Sequence, residues 1–509
     1  MLQVARKIYN QGSAKALTVP PPVGGWNTRD AWDDMKEDDA IVLDNWFPRS
    51  NDLISRKGFS QHCATGESGN VLTLAEYITG TARKLIAGVS GKIIDVTTAT
   101  ASTLGSGFSF NTWHTANFSG RIFFVNGTDA PQDYNNSALA ATAWSGSGLT
   151  ITNLSAVLAF KSRLYFVEKN TQKFWYGGVG SITGTLTSFD LSQVGNFGGK
   201  LVAMGAITRD GGDGADDLWC GFMSSGEVII YTGSNPGDAA DFVLQGVFKI
   251  GSPIDERSIA KIGSDLVIIT RDGYVALTQV LAFGRTDLKN TLSDKIRQAA
   301  VDAVTTYGAN SGWQVFFYPK GPYLLINVPT SGSVFHQHVM NTTTRAWCRF
   351  TGQDAYCWSL YNDHIYFGGT GGKVYKADDT FADNSAAIVT DGQTAWNYVR
   401  DRSRIKRFTA CRPIFLADGD PGAAIALSVD FQLNTDLVPV AGAGASTGGE
   451  WDSAEWDSAE WAGAYKATRA WQSVANIGYC ASLRVRTSNT AKQIRWMDTT
   501  YLYETGGVF

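Results

Sequence analysis

Residues able to do chemistry are few in this chain. His336 and His338 stand two apart in a β-rich stretch, so one strand face would carry both imidazoles, as two nitrogen ligands of a metal require. Spacing supplies no third ligand, and a polar strand face is the plain reading. Asp210, Asp213, Asp216 and Asp217 fall in a Gly-rich loop that could gather oxygens around calcium, but they lack the 1, 3, 5 alternation of an EF-hand loop. A solvated turn is the simpler account. Gly444–Gly448 fits G-x-S-x-G around Ser446, yet it sits in a Gly/Ala-rich loop without the strand-to-helix elbow that exposes a nucleophile. No G-x-x-x-x-G-K-[ST] phosphate loop occurs. No catalytic residue, cofactor or metal site is therefore expected, and the chain reads as a non-enzyme.

Two other segments point to binding. Arg400, Arg402, Arg404, Lys406, Arg407 and Arg412 form a basic run against Asp401. In a strand, residues 400, 402, 404 and 406 project to one side, a stripe suited to DNA phosphates or an acidic partner. The second segment is Glu450–Trp461, EWDSAEWDSAEW, with Trp451, Trp456 and Trp461 five residues apart. Neither a regular helix nor a regular strand puts all three indoles on one side. A looped ribbon does, and Trp is costly to leave in water, so burial against a neighbouring subunit or within the domain is expected.

The elements that carry these segments are β-strands. The 509 residues include 55 Gly; aromatic residues make up 12% and charged residues only 18%, which suits tight turns between strands better than helices. From about Leu72 to Ala377 a β-branched or aromatic run meets a Gly, Asn or Asp turn, and a second run follows. Strand starts at Arg83, Arg121, Arg163, Asp217, Asp265, Trp313 and His364 recur roughly every 38 to 54 residues, the period of propeller blades. Six or seven irregular blades are expected over residues 61–384, after an N-terminal arm and entry segment, 1–60. Residues 385–509 alternate inside and outside positions as a β-sandwich-like platform domain. Two helices are expected: a short one near residues 37–43, stopped by Pro48, and one over Asp294–Thr305 capped by Ser293. The six cysteines lack a CxxC pair and read as free, buried thiols. The net charge of −4 argues against a general nucleic-acid binder, and no apolar stretch is long enough for a membrane-spanning helix.

Gly24-Gly-Trp-Asn-Thr-Arg-Asp30, Ala40-Ile-Val-Leu-Asp-Asn-Trp-Phe-Pro48 and Arg56-Lys-Gly58 resemble the opening of short-tailed bacteriophage tail proteins. That family includes tail nozzle, hub and packaged-DNA stabilisation proteins, and the tandem WDSAE is similar to such proteins too. The resemblance implies a propeller on a platform of terminal segments, with six copies in a ring under the portal and its adaptor. Such a ring would retain packaged DNA and conduct it at ejection. It also implies tail fibres or spikes as partners, transient passage of double-stranded DNA, and residence in the virion tail after assembly in the bacterial cytoplasm. The expected assembly residues are Trp26, Asn27, Arg29, Trp46, Arg56, Trp451, Trp456 and Trp461; the expected DNA or partner contacts are Arg400, Arg402, Arg404, Lys406 and Arg407. A carbohydrate-binding propeller for host-surface recognition, motivated by the aromatic content, is the alternative.

Overall fold

A computed structural model describes residues 14–210, 215–283, 291–441 and 466–506. The chain divides into two compact units. One joins Met1–Lys57 and Ala346–Arg349 to Phe381–Phe509; the other joins Gly58–Arg345 to Phe350–Thr380.

The larger unit is a β-propeller with six blades of three or four strands. Strands Thr73–Ile78, Arg83–Val89, Lys92–Asp95 and Ser102–Ser106 pair antiparallel in chain order and set the pattern. The blades starting at His114, Leu154 and Leu201 repeat it with four strands each, and the blade starting at Ile259 has three. A meander of Gln314–Tyr318, Tyr323–Pro329 and Phe335–Asn341 follows in the chain. The last blade is composite: Cys357–Tyr361, His364–Gly368 and Lys373–Ala377 accept Phe59–Ala64 as their outer strand. A segment far upstream in the chain thus completes the last blade as its outer edge strand.

The turns explain why the sequence periodicity is visible. Ser90-Gly91, Ser119-Gly120, Lys161-Ser162 and Asn362-Asp363 all have positive φ at both central residues, the two-residue turn whose twist matches a hairpin. Each links strands of the repeating runs. Between the blades starting at Leu154 and Leu201 the core is aromatic: Tyr165 and Phe174 of one pack with Trp219, Tyr231 and Phe242 of the next. Each such ring contributes about 1.5–3 kcal/mol by leaving water.

The smaller unit is a sandwich of two sheets. In one, Lys406–Ala417 and Arg495–Thr505 form the central pair, flanked by Gln472–Gly478 and Lys466–Thr468 on one side. Leu53–Ser55 and Lys15–Val19 pair on the other side. The second sheet runs Asp39–Asp44, Ile388–Thr394, Ala481–Asn489, Ala423–Val429. Gly392 lets the layers close: a Cβ there would lie 3.2 Å from Trp46, whose ring packs on Trp496 at 6.0 Å.

Two local expectations are corrected. Residues 39–44 form a strand, not a helix, because Ile41 and Val42 lie in a segment that pairs with Ile388–Thr394. Strand pairing with a distant partner overrides the acidic start signal. The helix near 294 begins at Arg297 after a 3-10 turn, Asp294–Ile296, and runs to Tyr307. Ser293 is not its cap; the Ser293 hydroxyl oxygen accepts the Tyr274 N–H at 3.0 Å. A further helix, Leu277–Phe283, was not expected. All six cysteines are buried free thiols, and among the described residues no helix is long and apolar enough to cross a membrane.

Candidate functional site

The N-terminal residues that carry the family resemblance lie inside the sandwich. Gly25 has φ 86°, and a Cβ on it would lie 2.7 Å from the Trp347 carbonyl oxygen. Asn27 accepts the N–H groups of Arg29 and Asp30 through Oδ1 at 3.0 and 3.1 Å, and donates through Nδ2 to Asp39 at 2.7 Å. Trp26 donates its indole N–H to the Ile41 carbonyl at 3.1 Å. Asn45 takes the left-handed conformation, φ 57°, donates to the Val389 carbonyl at 2.8 Å and accepts from Arg56 Nε at 2.7 Å. Arg56 then pairs with Asp383 at 2.5 Å.

This placement corrects part of the expected assembly surface. Trp26, Asn27, Trp46 and Arg56 are buried in their own unit, and buried side chains present no surface to another subunit. Arg29 is 41% exposed and lies 2.7 Å from Asp30. Trp451, Trp456 and Trp461 lie outside the described residues, as does Ser446.

The basic run is also rearranged. Residues 400–405 are loop, and the strand starts at Lys406, so the expected one-sided stripe does not form. Lys406 is fully buried. Its ammonium donates to three carbonyls, those of Asp401, Arg404 (3.0 Å) and Tyr479 (2.9 Å), which satisfies all three of its N–H bonds. Burial pulls its pKa down, against the attraction of Asp401. With the loop drawn round this point, Arg400, Arg402, Arg404 and Arg407 remain exposed. The Arg402 guanidinium lies over the Tyr398 ring at 4.4 Å and donates to the Asp33 carbonyl at 3.0 Å.

A cavity of about 240 Å³ in the propeller, lined from the first strands of several blades, holds the main polar group that sequence reasoning missed. Arg257 reaches across it, donating to the Leu72 carbonyl at 2.7 Å, the Thr73 hydroxyl at 2.9 Å and the Trp113 carbonyl at 3.2 Å. Thr73 also accepts the Trp113 N–H at 2.8 Å and donates to the Asn111 carbonyl at 2.8 Å. Arg257 therefore clasps two blades from a third. Burial, reinforced by adjacent Asp255, pushes the Glu256 carboxyl up to about 8, while burial and the Arg257 charge hold His114 down to about 4. The cavity thus favours the uncharged forms of both the Glu256 carboxyl and the His114 imidazole. The Arg257 fork is already occupied. The only sequence hint was a charged Asp255-Glu256-Arg257 triplet immediately before a strand.

His336 and His338 do share a strand face, with Nε2 atoms 3.2 Å apart, and His338 Nδ1 meets the Tyr274 hydroxyl at 2.8 Å. Among the described residues no group of three or more His, Cys, Asp or Glu side chains gathers as metal ligands would. Asp217 accepts from the Thr208 hydroxyl at 2.6 Å; the side chains of Asp210, Asp213 and Asp216 lie outside the description.

No family model matches the chain, and no curated protein matches it. Among solved structures it is similar to YCF48 bound to D1 peptide, with a TM-score of 0.38 at 8% identity over 63% of this chain and 97% of that one. A putative 6-phosphogluconolactonase from Bacteroides uniformis gives 0.36 at 11% identity, over 64% and 92% of the two chains. Sqt1 of Saccharomyces cerevisiae gives 0.37 at 12% identity, over 68% and 96%. Likenesses this weak carry no function to this chain.

Proposed function

We propose that the chain is a non-catalytic structural protein of a bacteriophage tail, a nozzle or hub subunit. In this reading copies assemble into a ring, six by the family resemblance, that extends the portal channel, retains packaged DNA and conducts it at ejection. An adaptor below the portal and tail fibres or spikes are its partners, and the virion is its place.

The observation that carries the reading is how the resembling residues are used. Gly25, Asn27, Asn45, Trp46 and Arg56 each do a defined structural job in one unit built from both terminal regions. Residues with that role are those a shared platform fold would retain. The net charge of −4 supports a conduit over a DNA clamp, because each basic contact to phosphate strengthens binding.

Electron microscopy of the purified chain, alone and with a portal–adaptor complex, tests it. Six-fold rings with a central channel that cap the adaptor are expected. A chain that stays monomeric and never joins the portal–adaptor complex would overturn the reading.

A further inference from the structure

We propose that the arginine loop at residues 400–407 is the docking site for the acidic tryptophan segment, residues 450–461, of a second copy of this chain. The inference goes beyond the tail reading and does not depend on it.

The loop is a built surface. Buried Lys406 gathers the carbonyls of Asp401, Arg404 and Tyr479, and that frame holds the arginine side chains outward. Their local counter-charges are weak: Arg404 lies 3.5 Å from half-exposed Asp401, and Arg407 lies 3.9 Å from Glu504. Arg402 lies over the Tyr398 ring at 4.4 Å and donates to the carbonyl of Asp33, the residue after Trp32. Trp32 is 40% exposed and packs on Trp396 at 6.4 Å; Trp396 packs on Phe431, 38% exposed, at 5.0 Å. Arginine beside exposed aromatic rings is the composition of binding hot spots.

The segment is the chemical complement. Residues 450–461 carry five carboxylates and three indoles and no basic residue. A guanidinium pairs with a carboxylate through its fork and stacks on an indole through its face, so an alternation of acid and Trp uses both properties of each arginine. The segment and the loop are different stretches of one sequence, so docking between copies is head to tail, and such contacts close into rings when the rotation permits.

Sedimentation velocity on two full-length variants tests this. One keeps the loop and loses the acids: Glu450→Gln, Asp452→Asn, Glu455→Gln, Asp457→Asn, Glu460→Gln. The other keeps the acids and reverses the loop: Arg402→Glu, Arg404→Glu, Arg407→Glu. The parent chain should self-associate, and each variant alone should do so at least about tenfold more weakly, the loss of one hot-spot contact. An equimolar mixture should form one-to-one dimers and nothing larger, since only one complementary pair remains. The dimer should weaken as salt rises. The substituted arginines are exposed, and matched circular dichroism melts establish that both variants fold. A mixture that stays monomeric, or an arginine-reversed variant that associates like the parent, overturns the proposal. So does a short DNA duplex that binds the parent and not the arginine variant while self-association is unchanged, which makes the loop a phosphate contact. Rings that assemble normally from both variants would leave the tail reading standing and remove this one.

Discussion

The guanidinium of Arg56 lies 2.5 Å from the Asp383 carboxylate, with side-chain exposures of 2% and 11%, and Asn45 supplies the same arginine a further acceptor at 2.7 Å. Residues 327 positions apart are thereby locked inside one unit. Burial raises the Asp383 carboxyl above its ordinary range even with Arg56 beside it. Desolvation outweighs the pair's attraction at this carboxyl, so the bridge contributes less net stability than its short distance implies.

Removing one partner should be costly. Arg56→Ala leaves a buried carboxyl unpaired, and a loss of about 3 kcal/mol in urea unfolding is expected. Arg56→Ala with Asp383→Ala should cost less than the sum of the two single changes. Asn45→Ala should cost about 1 kcal/mol more than Asn45→Gly, because both lose the hydrogen bonds but only alanine is strained at positive φ. Strictly additive costs at 56 and 383 would refute the coupling.

Lys406→Met keeps the length of the side chain and removes its three N–H donors. The carbonyls of Asp401, Arg404 and Tyr479 lose their shared donor, at a cost on the order of 2 kcal/mol. The loop should loosen first. Limited trypsin digestion is therefore expected to cut after Arg400, Arg402 or Arg404 faster in the variant than in the parent. Equal digestion rates would mean that the lysine does not hold the loop.

Two groups at the propeller cavity set opposite pH limits. Glu256 has a raised folded pKa, about 8, so it binds a proton more tightly folded than unfolded, and stability falls as pH rises from the ordinary carboxylate range toward 8. His114 has a depressed folded pKa, about 4, so the stability it contributes is present above about 6.5 and is lost as pH falls toward 4. Glu256→Gln should stabilise the protein by about 1–3 kcal/mol at pH 8.5 and have little effect at pH 4.5. Melting temperatures across pH 4–9 measure this; a variant offset that does not change with pH would show that Glu256 ionises normally.

Much of the propeller was legible because its hairpins are local. Ser90-Gly91 and Asn362-Asp363 advertise their turns by residue type, and strands do start at Arg83, Arg121, Arg163, Asp265 and His364, as the spacing predicts. The candidate site was far less legible. Lys406 read as one of a row of exposed cations, yet it is the buried hub, because burial depends on Tyr479 and Cys480, more than 70 residues away. Arg257 gave almost no signal, since two of its three acceptors are backbone carbonyls, which every residue has, and the third is a threonine hydroxyl more than 180 residues away. Residues 39–44 misled in the other direction: an acidic run before apolar residues satisfies a helix rule, and only the partner strand at 388–394 makes them extended.

Alternating runs, turn chemistry and low charge are properties of near neighbours, so composition and order alone determined that this chain is all-β and that its middle is a series of blade-like hairpins. Tertiary structure decided that Phe59–Ala64 closes the last blade, that the two terminal regions make one sandwich, and that Lys406 turns inward while its neighbouring arginines face water. Each of those outcomes depends on pairing between segments tens to hundreds of residues apart. Such pairing is selected by the total burial and hydrogen bonding it satisfies, a quantity that no local pattern contains.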